Sequence, residues 1–145
     1  MSTREFIDQI IENQNVYILT SDEGFAISAS EEFEYEDGSN LEVICFWSSE
    51  EKANEARKNQ WANHKVESLA LNVFLEEWLF GMIEEVSIAG LDFNAEPTGI
   101  EVSPIDLIIE IAHILNLTKA NYTPLHSKGP KDIMQVALEI KESIN

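Results

Sequence analysis

The side chains that could do acid–base chemistry in this chain are carboxylates in adjacent pairs, such as Glu31-Glu32, Glu76-Glu77 and Glu84-Glu85. Adjacent residues of a helix point about 100° apart, so the two members of such a pair do not face one another. We therefore interpret these pairs as a solvated acidic surface. Asp92 and Glu101, which we place on neighbouring strands, form the single pair that we consider as an acid and a base.

Metal binding and nucleophilic catalysis find little support in the sequence. His64, His113 and His126 are widely separated, and Cys45 lies within an apolar segment, where cysteine commonly packs as a small hydrophobic residue. The chain has neither a Gly-x-Ser-x-Gly motif nor a phosphate-binding Gly-rich loop. The sequence thus predicts no catalytic residues, no metal site and no cofactor, and it favours a protein that is not an enzyme.

The three tryptophans allow two interpretations. Large aromatic side chains usually pack in the core, with the indole N–H bonded to a partner. Alternatively, Trp47 and Trp61 lie at opposite ends of one predicted helix and line a groove beside an acidic surface, where aromatic residues would bind a basic partner. The second interpretation gives our candidate binding residues, which are Trp47, Trp61, Glu31, Glu32, Glu34, Glu36 and Asp37.

The charge of the chain is strongly negative and unevenly distributed. Twenty-seven acidic residues oppose nine basic ones, for a net charge of −18. Neither lysine nor arginine occurs between Glu5 and Glu51, or between Val66 and Thr118. Such a chain repels nucleic acids and anionic membranes, whereas a basic protein partner would be attracted and steered to it. Solubility is the alternative explanation for the charge.

The length of 145 residues is typical of one domain. A single cysteine allows no disulfide within the chain, which suits a reducing cytoplasm. The amino-terminal segment does not have the pattern of a signal peptide. The longest apolar run, from Ile105 to Leu117, spans 13 residues and contains charged side chains, whereas a membrane span needs about 20. We therefore predict a cytoplasmic protein.

Hydrophobic periodicity predicts an α+β fold with a single domain over residues 1–145. We expect one central mixed β-sheet of about five to six strands, with helices packed against it and two helices at the C-terminus. The predicted helices span 3–14, 48–64, 72–86, 105–117 and 130 onward, and the predicted strands span 16–20, 25–28, 41–47, 65–71, 87–94 and 98–103. Residues 28–40 are acidic and poor in aliphatic side chains, which favours a mobile loop.

A series of aromatic and glycine motifs resembles a bacterial domain-of-unknown-function family, number twenty-seven fifty. The matching residues are Phe46-Trp47, Trp61, Phe74-Leu75, Trp78-Leu79, Gly81-Met82, Gly90, Gly99, Glu101 and Pro104. The resemblance covers about residues 16–104 and leaves 105–145 as a C-terminal helical extension. The sequence departs from the family pattern at Asp92-Phe93, where Asn-Trp is expected. The resemblance implies no activity.

Two segments, "CFWSSEEKA" and "GLDFNAEP", are also similar to the amino-terminal domain of SseB-type proteins. This weaker likeness implies a shared βαβα topology, and any function transferred from it would be analogy.

Three hypotheses about function follow from the sequence. The first is a non-catalytic bacterial protein-binding module whose acidic face engages a protein partner, one form of which is an immunity-like inhibitor of a basic enzyme. The second is a small-ligand binder or enzyme with a pocket between the helix 72–86 and the strands 87–103. The third is a structural homodimer.

Overall fold

A computed structural model describes residues 2–144 and shows an α+β fold, as predicted. The helices are α1 (Thr3–Asn13), α2 (Glu50–Ala56), α3 (α-helical Leu71–Val73 and Leu79–Glu85, joined by the π-helical turn Phe74–Trp78), α4 (Pro104–Thr118) and α5 (Pro130–Ile144). The strands are β1 (Asn15–Ser21), β2 (Gly24–Phe25), β3 (Ile27–Glu34), β4 (Asn40–Phe46), β5 (Lys65–Ala70), β6 (Ile88–Leu91) and β7 (Ile100–Val102).

The strands form two sheets, which corrects the prediction of one central sheet. The first has the order β2-β1-β5 and the second β3-β4-β6-β7. The β4–β6 pairing is parallel, and the other pairings in both sheets are antiparallel. Ala26 links the two sheets, because its N–H donates to the Leu19 carbonyl oxygen of β1 at 2.8 Å and its carbonyl oxygen accepts from the Cys45 N–H of β4 at 3.2 Å. The sheets also meet where the backbones of Tyr17 and Trp47 exchange N–H···O bonds of 2.9 and 2.8 Å. The pairing stops there because the chain turns from Trp47 into α2.

The second half of strand β4, residues 43–46, is buried on both faces, as its apolar sequence predicts. Because side chains alternate along a strand, Ile44 and Phe46 join a core formed with α1, α3 and α4. Val43 and Cys45 point to the other face and join a second core with α2. The two C-terminal helices are present, as predicted, and α4 and α5 pack against one another.

The acidic segment 28–40 is an ordered β-hairpin, so the prediction of a mobile loop is wrong. The β3–β4 register shifts between Ala29 and Glu34, and the extra residues form a bulge. The Glu101 carboxylate on β7 holds this bulge, because it accepts hydrogen bonds from the Ser30 hydroxyl and from the Glu31 backbone N–H, the latter at 3.0 Å. A distant carboxylate thus orders a segment that has few apolar side chains of its own.

Helix α2 is shorter than the predicted helix 48–64. It ends at Ala56 and is followed by the 3₁₀ turn Asn59–Trp61. Ser49 rather than Ser48 is the N-cap, and its hydroxyl accepts from the Lys52 N–H at 3.2 Å. Ser48 is instead buried, and both its backbone N–H and its hydroxyl donate to the Asp92 carboxylate.

The glycines of β6 and α3 differ in what surrounds them. A Cβ added at Gly90 would lie 2.7 Å from Val43 Cγ1 and 2.8 Å from Phe93 Cε1. A Cβ added at Gly81 would meet nothing within 4 Å. Close packing therefore leaves no room for a side chain at Gly90, whereas Gly81 has room for one.

We predict opposite effects for alanine at these two positions. Gly90→Ala overpacks the core and should lower the free energy of unfolding by about 1–3 kcal/mol. Gly81→Ala, the matched control, should raise it by up to about 1 kcal/mol, because alanine favours the helix. Urea unfolding of both variants measures this. Equal midpoints for the two variants would contradict the packing described at Gly90.

The segment between α4 and α5 is anchored to the π-helical turn by Glu76. The Glu76 carboxylate accepts from the Tyr122 hydroxyl, and from the backbone N–H groups of Leu125, His126 and Ser127 at 3.0, 2.8 and 2.8 Å. Partial burial raises the pKa of this carboxyl, but the four hydrogen bonds outweigh burial and lower the pKa from 4.5 to about 2.

We predict a pH-dependent contribution of Glu76 to stability. The pKa is lower in the folded protein, so the contribution is complete above about pH 4.5 and is lost as the pH falls towards 2. Glu76→Gln should therefore lower the unfolding free energy at pH 7 by about 1 kcal/mol, a figure limited by solvent screening. This difference should shrink between pH 5 and about pH 3.

Urea unfolding at several pH values tests this prediction. Glu142→Gln, which changes an exposed glutamate of α5, is the control and should stay within about 0.5 kcal/mol of the wild type. A Glu76→Gln effect that is constant over the acidic range would show that the carboxylate charge does not hold the segment.

Candidate protein-binding surface

The five acidic candidate residues lie together on the β3–β4 hairpin. Glu31, Glu32, Glu34, Glu36 and Asp37 are all exposed. The turn of the hairpin is closed by Asp37, whose carboxylate accepts from the Ser39 hydroxyl at 2.6 Å and from the Ser39 N–H at 2.9 Å. These bonds lower the pKa of Asp37. The structure thus brings the acids together on an ordered hairpin with negative charge on its surface.

The two tryptophan candidates are in the interior. Trp47 is fully buried and Trp61 is 2% exposed, and their rings pack edge to face with centroids 5.6 Å apart. The indole N–H of Trp47 donates to the Phe93 carbonyl oxygen at 2.8 Å. This is the core arrangement. The alternative interpretation, in which the two rings line a binding groove, is wrong, because neither ring is exposed enough for a partner to contact it.

The Phe93 side chain occupies the space above two glycines of the family-like pattern. A Cβ added at Gly99 would lie 2.5 Å from Phe93 Cδ1, and one added at Gly90 would lie 2.8 Å from Phe93 Cε1. At Asp92-Phe93, where the sequence departs from the family pattern, Phe93 therefore fills the core between Trp47 and these two glycines.

Asp92 and Glu101 belong to separate hydrogen-bond networks. The buried Asp92 carboxylate accepts from Ser48 and lies 3.5 Å from Lys52 Nζ. Glu101 holds the bulge of β3 through Ser30 and Glu31. Both carboxylates therefore link parts of the chain to one another, and the geometry gives no support to the acid–base pair that we considered.

Among residues 2–144, no group of three or more His, Cys, Asp or Glu side chains is placed to hold a metal ion. Cys45 is buried, and burial, together with the nearby Glu101 charge, raises the pKa of its thiol. In the same part of the chain, no helix combines the length and the apolar character that crossing a membrane requires.

A groove that the sequence analysis missed runs along α3. It has a volume of about 220 Å³, and we call it the α3 groove. Its lining is an apolar floor with two glutamates at the rim: Phe25, Ile44, Trp78, Gly81, Met82, Glu77 and Glu85. Phe25 is 39% exposed, and its ring packs against that of Trp78 at a tilt of 58°, with centroids 5.2 Å apart.

The π-helical turn positions the groove. Trp78 is the last residue of this turn, and its ring also packs against Phe46 of the core at 5.9 Å. π-helical turns within α-helices are often found at functional sites. In the sequence, the only signal for this groove is Gly81, an unfavourable residue within a helix.

The acidic hairpin contacts the C-terminal end of α3, the helix that lines the α3 groove. The Tyr35 hydroxyl, beside the hairpin turn, donates to the carbonyl oxygen of Val86 at the end of α3, at 3.4 Å. The groove opens towards β2 and β4. It therefore does not coincide with the pocket that we expected between the helix 72–86 and the strands 87–103, where β6 is fully buried.

Comparisons with known proteins concern the fold and the family. No curated protein matches the chain. A solved structure of Anabaena Tic22, described as a protein-transport protein, is similar with a TM-score of 0.38 and 15% sequence identity. The similarity covers 88% of this chain and 58% of that one.

The family model described as "Protein of unknown function (DUF2750)" matches residues 3–111, which is well over half of the chain. The match extends the expected core of 16–104 in both directions, so that it includes α1 and the first half of α4. This chain is a member of the DUF2750 family.

Proposed function

We propose that this protein is a non-catalytic binding module that engages a basic protein partner through the acidic β3–β4 hairpin and the surface next to it. The observation that supports the proposal best is the ordered hairpin, which presents four glutamates and Asp37 to solvent. An ordered charged surface can direct a partner of opposite charge into one orientation, and it raises the rate of association.

The charge distribution favours the same proposal. The stretch from Glu5 to Glu51 contains the hairpin and has neither lysine nor arginine. The field around the hairpin is therefore not neutralised by its neighbours in sequence, and a cationic protein would be steered towards it. A more specific form of the proposal is an immunity-like inhibitor that covers a basic enzyme in the cytoplasm of a bacterium.

The two alternatives have weaker support. A small-ligand binder or enzyme requires a pocket against the strands 87–103, and β6 is buried at that position. A homodimer would bring together two chains that each carry a net charge of −18, which opposes association. A dimer in analytical ultracentrifugation at micromolar concentration would favour the homodimer over our proposal.

We predict that capture of the partner depends on the charge of the hairpin. Glu31, Glu32, Glu34 and Glu36 are each changed to Gln, and Asp37 is kept because its carboxylate closes the turn. In a crosslinking pull-down from host lysate at low salt, quantified by mass spectrometry, this variant should retain at least about tenfold less of a basic protein than the wild type. The captured protein is then purified, and its association rate is measured at increasing salt concentrations.

The control variant removes the same number of charges from exposed positions elsewhere: Glu55→Gln, Glu67→Gln, Glu139→Gln and Glu142→Gln. It should retain nearly as much partner as the wild type. Equal loss in both variants would assign the effect to net charge and contradict a binding site on the hairpin. Retention of no basic protein by the wild type would contradict the proposal as a whole.

A further inference from the structure

The α3 groove lies where α3 meets strand β4 and the short strand β2. Ile27 on the edge strand β3 is the register partner of Ile44 on β4, so the two side chains share a face. Ile44 is buried in the core with α3, whereas Ile27 is 43% exposed. Ile27 lines a neighbouring cleft beside His64, and Phe25 lines both that cleft and the α3 groove. An exposed apolar surface therefore extends from the α3 groove across Phe25 to Ile27.

The lack of a side chain at Gly81 leaves space in the groove for a second helix to pack against α3. Glycine within a helix costs about 1 kcal/mol relative to alanine. Apart from the adjacent residues and the backbone of α3 itself, nothing lies within 4 Å of the position that a Cβ would take. Packing within the chain therefore does not require glycine here. Its missing side chain leaves the backbone of α3 open to a second helix, which would pack with its axis about 8–10 Å away.

The charge at the rim of the groove indicates the charge that a bound helix must carry. Glu85 and Glu77 line the groove on the α3 side, and Glu77 also pairs with His126 at 2.7 Å between Oε2 and Nε2. The groove lies within a chain of net charge −18, and the acidic hairpin contacts Val86, the residue after Glu85 of the rim. A helix with lysine or arginine beside its apolar stripe complements this arrangement, whereas a second copy of this acidic chain does not.

The geometry points to the α3 groove as the binding site for a basic amphipathic helix of the partner protein. This inference rests on the proposed function and specifies how the partner is held. Apolar side chains of the helix cover Phe25 and Trp78, and its cationic residues lie against Glu77 and Glu85. The acidic hairpin steers the partner, and the groove retains it.

A designed peptide tests the inference directly and does not require the partner to be identified first. The probe has about 18 residues of leucine and lysine, with leucines at i, i+3, i+4 and i+7, so that they form one stripe. Its control has the same composition with the leucines distributed around the helix. Binding is followed through the three indole N–H signals of ¹⁵N-labelled protein, and Trp78→Phe identifies the signal of Trp78. We expect saturable binding that shifts mainly the Trp78 signal, because Trp47 and Trp61 are buried.

Gly81→Leu fills the groove at a position where an added Cβ meets nothing within 4 Å, so the fold should be retained. It should weaken binding of the striped peptide by at least about tenfold. Glu139→Leu, which adds the same side chain to the exposed face of α5, is the matched control and should leave the affinity unchanged.

Three results would overturn the inference. They are equal affinity for the striped and the control peptide, wild-type affinity in Gly81→Leu, and a wild-type dimer that Gly81→Leu dissociates. These outcomes are separate from a failure of the proposed function. If Gly81→Leu still binds the purified partner normally and the hairpin variant does not, the groove is excluded and the acidic binding surface stands.

Discussion

The fold depends on one strand, β4, whose second half is buried on both faces. Ile44 and Phe46 of β4 face a core closed by α1, α3 and α4, and Val43 and Cys45 face a core closed by α2 and Trp61. Such a strand must have neighbours on both edges, because its unpaired backbone groups would otherwise be buried. Strands β3 and β6 fill these two places. The acidic hairpin is therefore attached to the centre of the protein, which explains how a segment so rich in glutamate is held in a sheet.

Features that depend on local sequence were predicted well. Helix α4 begins at Pro104 after the N-cap Ser103, and the amphipathic helices α1 and α5 follow their apolar periodicity. Features that depend on distant contacts were not. The bulge of β3 is held by Glu101, about 70 positions away in the sequence, and no pattern within residues 28–40 contains that information. The division into two sheets likewise depends on where the pairing of Tyr17 with Trp47 stops.

The sequence predicted only some features of the candidate surface, because the others depend on contacts between separate elements. The glutamates of the hairpin were expected at the surface because burying a charge without a partner is costly, and they are there. For tryptophan, residue type does not distinguish a core from a binding surface, and two of the candidates proved to be core. The α3 groove was missed because Phe25, Ile44 and Trp78 come from three separate elements.

The acidic surface and the apolar groove have complementary physical effects. An exposed apolar patch that contains Phe25 of β2 and Ile27 of β3, each on an edge strand, would ordinarily favour self-association. Here each copy carries a net charge of −18, and the repulsion between copies opposes that contact. The same charge lowers the free energy of a cationic helix near the groove. One electrostatic field therefore disfavours a second copy of this chain and favours a basic partner. Neutralising the glutamates around the groove would therefore reduce specificity as well as affinity, because it removes the repulsive contribution together with the attractive one.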